Sequence, residues 1–170
     1  MNSLELHFEE LADILNKECD AHERLLEAAT QVNEAIKKSD ISSLQARNAS
    51  LDNQIALIER IEKQRGECCG ALSHALGIER APVKLATLIE HAPERFRETL
   101  AALHRTLRDL LSTISAVTVS NRVLLEEGLE LIRGRLSLIA NPVERFAQYR
   151  MGGRLKTAST PAHPFINQTV

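Results

Sequence analysis

The sequence predicts an all-α fold: a long antiparallel helical hairpin, a third long helix that makes a coiled-coil-like three-helix bundle, a short linking helix and a mobile carboxyl-terminal tail. Apolar residues recur at alternating spacings of three and four over stretches far longer than an average globular helix. No run alternates polar and apolar residues as a half-buried strand would, and no repeat of solenoid length is present. Aromatics are 3% of the 170 residues and Trp is absent. The 44% hydrophobic content is therefore carried mainly by Leu, Ile, Ala and Val, the usual material of helix seams.

The first helix is expected over residues 3–38. Leu4, Phe8, Leu11, Leu15, Cys19, His22, Leu26, Ala29, Val32 and Ile36 form its seam, and neither Pro nor Gly interrupts it. In the following "KKSD", Lys37 and Lys38 suit a helix carboxyl end. Ser39 or Asp40 can accept from the free N–H groups of the next helix. That second helix, 41–76, carries the seam Leu44, Asn48, Leu51, Ile55, Ile58, Glu62, Arg65, Cys69, Leu72 and Leu76, and Gly77 ends it. So short a connection forces an antiparallel hairpin, with Leu51, Ile55 and Ile58 expected to face the first helix between Leu15 and Leu26. Asn48, Glu62 and Arg65 on the seam set register at some cost in stability.

Between Gly77 and Pro93 the pattern breaks. Pro82 opens a short helix over 83–90 and Pro93 closes it, then stands at the first turn of a third long helix, 94–140. Its main seam is Leu103, Leu107, Leu110, Ile114, Val117, Asn121, Leu124, Gly128, Leu131 and Leu138. The β-branched stretch "TISAVTVS" is a poor intrinsic helix former, so packing has to hold it. Asn141-Pro142 ends the helix. The last residues, rich in Gly, Ser, Thr and Pro, have no composition for a core and are expected to be mobile. The domain reading is a helical domain over 1–150 and a flexible tail over 151–170.

Charge is unevenly placed. Residues 1–38 hold nine acidic and four basic side chains, while 93–170 hold seven acidic and eleven basic. An acidic first helix beside a basic last one accounts for this, and a net charge of −2 gives no reason to expect a nucleic-acid partner. Three cysteines without zinc-type spacing suit reduced thiols in the cytoplasm rather than a disulfide framework. The acidic "MNSLELHFEELADIL" is unlike a signal peptide, and the longest uncharged run, 110–121, is too short to span a bilayer, so no stable membrane insertion is expected.

Enzyme chemistry finds no foothold. Phosphate-binding glycine loops, HExxH and E-x-x-H are all missing, so no catalytic residue, metal ligand or cofactor is expected. His22 and His74 read as packing residues, His104 as a solvated edge, and Cys68-Cys69 as a vicinal pair whose side chains diverge.

The informative segment is "SNRVLLEEGLELIRGRLSLI", 120–139. Leu124, Leu131 and Leu138 make one seam, and Leu125, Leu129, Ile132, Leu136 and Ile139 a second beside it. Together they exceed the stripe of about 100° that a surface helix needs. The second seam is either bundle core or an exposed face for a partner helix, worth about 1.5–3 kcal/mol per Leu or Ile covered. Self-association as a coiled-coil adaptor, for instance a homodimer, is a competing use of the same seams.

Three stretches, "RNASLDNQIALIERIEKQR" (47–65), "SNRVLLEEGLELI" (120–132) and "QYRMGG" (148–153), occur in an order that resembles the FlgN family, cytoplasmic chaperones of flagellar type III export. The resemblance implies a chaperone that carries termini of flagellar hook-associated (hook–filament junction) proteins to the export gate. It places cargo on the carboxyl part of the third long helix, matching Asn121, Leu124, Leu125, Leu129, Ile132, Leu136 and Ile139. It also implies that Tyr149, with Phe146 and Gly153 beside it, docks on the cytoplasmic domain of the gate. Phe146, Tyr149 and Met151 form a compact apolar group among Arg145, Arg150 and Arg154. Folding back on the bundle is the alternative use of that group.

Overall fold

The computed structural model describes residues 3–78 and 83–140, the side chains of 138 and 140 aside. Among the described residues four helices follow one another: α1 (Ser3–Lys37), α2 (Ile41–Ala75), α3 (Leu85–Glu90) and α4 (Glu94–Ala140). The described residues hold no strand. The all-α reading stands, with boundaries within two residues of those expected. The chain divides into two compact units. Met1–Leu129 holds the bundle, and the described part of Glu130–Val170 is the last turns of α4.

The α1–α2 turn is made by hydrogen bonds that the sequence only half announces. Ser39 N–H donates to the Ile36 carbonyl at 2.9 Å and Asp40 N–H to the Ala35 carbonyl at 3.0 Å, the paired bonds of a Schellman motif. That motif needs a left-handed residue, and Ser39 takes it at φ 54°. Asp40 then caps α2, its carboxylate accepting from Ser43 N–H at 3.1 Å. Its hydrogen bonds from Ser42 and Ser43 hold the carboxyl down to about 2. At the far end of α2 the same motif recurs around Gly77 at φ 68°, with Gly77 N–H on the His74 carbonyl and Ile78 N–H on that of Ser73.

Within the first unit α1 is the central strut. Phe8, Leu11 and Leu15 are fully buried, and the whole expected seam is buried or half-buried. Ala12, Ala21, Ala28 and Ala35 are buried too, and side chains this small let neighbouring helices approach closely. One end of the bundle is closed by Leu72, Leu88, Ala92 and Leu100. There Phe8 stacks on Phe96 with ring centroids 6.4 Å apart. The Arg95 guanidinium lies 4.5 Å from the Phe96 centroid and 3.2 Å from Glu5, so α1 and α4 do pair opposite charges.

The seam expected for α2 differs from the one it buries. α2 buries Ile58, Ile61, Cys68, Leu72 and Ser73, whereas Asn48, Ile55 and Glu62 are exposed and Leu51 half-buried. A strict 3.5-residue repeat drifts around a straight helix of 3.6 residues per turn, which moves the buried line from Ile55 to Ile58 and Ile61. His74 is exposed rather than packed, and His104 is half-buried rather than a solvated edge. The short helix begins at Leu85, and Pro82 lies outside the described residues. Pro93 stands just before α4, accepting from Phe96 and Arg97 N–H. In "TISAVTVS" packing covers only Ile114 and Val117 in part, and Val119 is exposed.

Ser39→Gly should raise stability by about 1 kcal/mol, since Gly takes the left-handed conformation without steric cost, partly offset in the unfolded chain. Urea unfolding checks it, and a loss would mean the Ser39 side chain supports the turn. Ile55→Ala, half-exposed rather than core, should cost about 1 kcal/mol or less, against about 2–5 kcal/mol for Leu15→Ala.

Candidate functional site

At the end opposite α3 the bundle opens. α1 contributes Leu25, Ala29 and Val32, α2 contributes Leu51 and Ile55, and α4 contributes Ile114, Asn121, Leu125 and Leu129 to a groove of about 540 Å³. The surface inside is overwhelmingly apolar. Arg122 and Glu126 also border it, joined to each other at 2.8 Å across one turn. An open, apolar hollow between helices is suited to an amphipathic helix rather than to a small polar substrate.

The expected cargo residues fall in different places. Asn121 is only 9% exposed and its carboxamide is engaged inside the bundle. It accepts from Asn33 Nδ2 at 2.7 Å and donates to the Ala29 carbonyl at 3.0 Å. Leaving either buried amide unpaired would cost about 1–3 kcal/mol, so this pair strongly prefers one register of α4 on α1. Leu124 is half-buried, and Leu125 and Leu129 line the groove while 44% and 52% exposed. In the second unit Leu131, Ile132, Leu136 and Ile139 are all more than half exposed. Both seams of α4 are therefore bare beyond Leu124, wherever their side chains are described. Phe146, Tyr149 and Gly153 lie outside the described residues.

Spacing alone does not announce the one buried acid of α1. Glu18 is 1% exposed, and Arg65 of α2 reaches it with Nε 2.9 Å from Oε2. The contact is charge to charge, because neither atom makes a directed hydrogen bond. His22 Nδ1 lies 2.8 Å from the Glu18 carbonyl, which places the ring proton on Nδ1. Burial raises the Glu18 pKa; Arg65 and then His22 oppose the rise, and Glu62 adds to it. Arg65 on the seam was the legible half of this pair. Glu18 sits on the flank beside Leu15 and Cys19, where acidic residues usually face water.

The thiols are chemically quiet. Burial pushes Cys68 up to about 12, helped by Glu10 and Cys69, and it also raises Cys19 and Cys69. Cys68 Sγ donates to the His7 carbonyl and Cys19 Sγ to that of Leu103. Thiols held protonated are poor nucleophiles and poor metal ligands. Among the described residues no helix is long and apolar enough to cross a membrane.

A family model described as FlgN protein matches residues 1–157 of the chain. The chain belongs to the FlgN family. No curated protein and no solved structure matches it. FlgN proteins are flagellar export chaperones and not an enzyme family, so this FlgN chain is in general terms a flagellar export chaperone. An uncovered apolar groove suits that class, whose members must hold partners through non-covalent contact.

Glu18 binds its proton more tightly folded than unfolded. Its contribution to stability is thus full below the unfolded carboxyl range and is lost as pH rises through the raised pKa. Wild type should accordingly gain stability relative to Glu18→Gln as pH falls from 7 towards 4, by urea unfolding at each pH. A gap that widens against wild type on acidification would show that Arg65 outweighs burial.

Proposed function

We propose that this chain captures termini of flagellar hook-associated proteins, those of the hook–filament junction, as amphipathic helices and delivers them in the cytoplasm to the export gate. The observation that carries the reading is the groove of the first unit, apolar inside and uncovered. Leu125 and Leu129 are its α4 contacts, and Leu124 supports them from the half-buried side. Asn121 acts from beneath by holding α4 in place. Ile132, Leu136 and Ile139, exposed in the second unit, supply further apolar contact. Covering each Leu or Ile is worth about 1.5–3 kcal/mol before the cost of ordering a cargo helix.

Gate delivery rests on the sequence alone. Phe146, Tyr149 and Gly153 are proposed to dock on the cytoplasmic domain of the gate, the ring supplying contact area and its hydroxyl a hydrogen bond. The helical chaperone domain is taken as 1–150 and the tail as 151–170.

Leu125→Asp or Ile132→Asp should weaken capture of a junction-protein terminus about tenfold or more, because a carboxylate would be buried in an apolar contact. The melting temperature should stay within about 5 °C of wild type, since both side chains are exposed in the free protein. Unaltered capture by folded variants would remove these residues from the site. Tyr149→Ala should leave cargo affinity unchanged but lower calorimetric binding of the loaded chaperone to the gate. Equal gate binding by both would exclude Tyr149.

A further inference from the structure

Beneath the apolar groove lies a polar pair. Asn33 Nδ2 donates to Asn121 Oδ1 at 2.7 Å, and Asn121 Nδ2 donates to the carbonyl of Ala29, one turn back along α1. Ser120 Oγ lies 3.4 Å from Asn33 Nδ2 on the α4 side. α4 is thus gripped on a single turn of α1, through a side chain and a backbone carbonyl at once. Asn121 is also the last residue of α4 that is buried among those described; Leu124 is half covered and Leu125 and Leu129 are exposed. The grip therefore stands where packing of α4 on the bundle gives way to open groove.

We infer that Asn33 and Asn121 form a register latch that keeps the groove open, acting on partner binding as positioning residues rather than as contacts. Sliding α4 one turn along α1 would take Asn121 from the Ala29 carbonyl and leave the Asn33 amide facing hydrocarbon. An apolar pair would impose no such penalty. With Leu at both positions the seams could slip, and Leu125 and Leu129 could settle onto Ala29 and Val32, closing the hollow. A polar residue in an otherwise apolar helix interface trades stability for one defined register, and here that register has an open groove. The cargo arm of the test rests on the proposed function, whereas the groove arm does not.

The experiment compares wild type with the double variant Asn33→Leu/Asn121→Leu in three measurements. These are urea unfolding, fluorescence of 1-anilinonaphthalene-8-sulfonate as a probe of the open groove, and affinity for the carboxyl-terminal segment of the host's own hook–filament junction protein. The double variant should be at least as stable as wild type, yet bind less dye, keeping only the share taken by the exposed Leu131, Ile132, Leu136 and Ile139, and bind the segment about tenfold or more weakly. Full dye and segment binding by the folded variant would overturn the latch. Should the leucine pair not fold, Asn33→Ala/Asn121→Ala, an apolar pair that needs less room, takes its place, and undiminished dye and segment binding by the folded alanine variant would likewise overturn the latch. If wild type itself ignores the segment, the proposed cargo fails while the dye still decides the latch.

Discussion

In the first unit α1 carries α4 only as far as Asn121, and the apolar residues of α4 that follow there, Leu125 and Leu129, lack cover. That shortfall underlies most of what the protein displays. The short α1–α2 turn makes the hairpin arms antiparallel, and they cover each other along the buried line from Phe8 to Ile58 and Leu72. α4 has no arm of its own. It shares α1 as far as Asn121, and beyond Leu124 its described leucines and isoleucines face water.

Polar contacts on α1 help to give this apolar arrangement its alignment. Among them Glu18 meets Arg65 on α2, and Asn33 meets Asn121 on α4, so each flanking helix has a buried polar reference point on the central strut. Leucine seams alone tolerate slippage by a turn, because one methyl group packs much like the next. A buried carboxylate or amide does not, since displacement leaves it without a partner in a medium that cannot solvate it. The charge pair is stabilising only in this conditional sense: burial raises the Glu18 pKa even with Arg65 beside it.

Bare apolar surface of this extent is a hazard for a free chain and an asset for an export chaperone. The flanking charges, Arg122 with Glu126 and the acidic and basic residues between the seams, keep the uncovered face interspersed with solvated groups. Helicity there is not aided by propensity. Gly128 and Gly134 would admit a side chain without any clash, and Val119 and Val123 are exposed. Each lowers helix propensity, by roughly 1 kcal/mol for a glycine relative to alanine.

The sequence by itself determined the class of fold, the limits of the described helices to within two residues, the seam of α1 and the residues that end and start the hairpin. It did so because spacing and capping are local properties of a chain. Membership of the FlgN family was legible too, from three stretches spread along the chain. Only the tertiary structure decided that Ile55 lines a groove while Ile58 and Ile61 enter the core, and that Glu18 is buried. It also decided that both seams of α4 are exposed beyond Leu124. Periodicity states which side chains share a face of a helix, but coverage of that face depends on how many neighbours reach it and where they diverge. Asn121 shows the distinction most plainly. It sits on the seam by spacing alone, yet only its bonds to Asn33 and Ala29 make it part of the support beneath the groove, because those partners lie on a helix some ninety residues earlier in the chain.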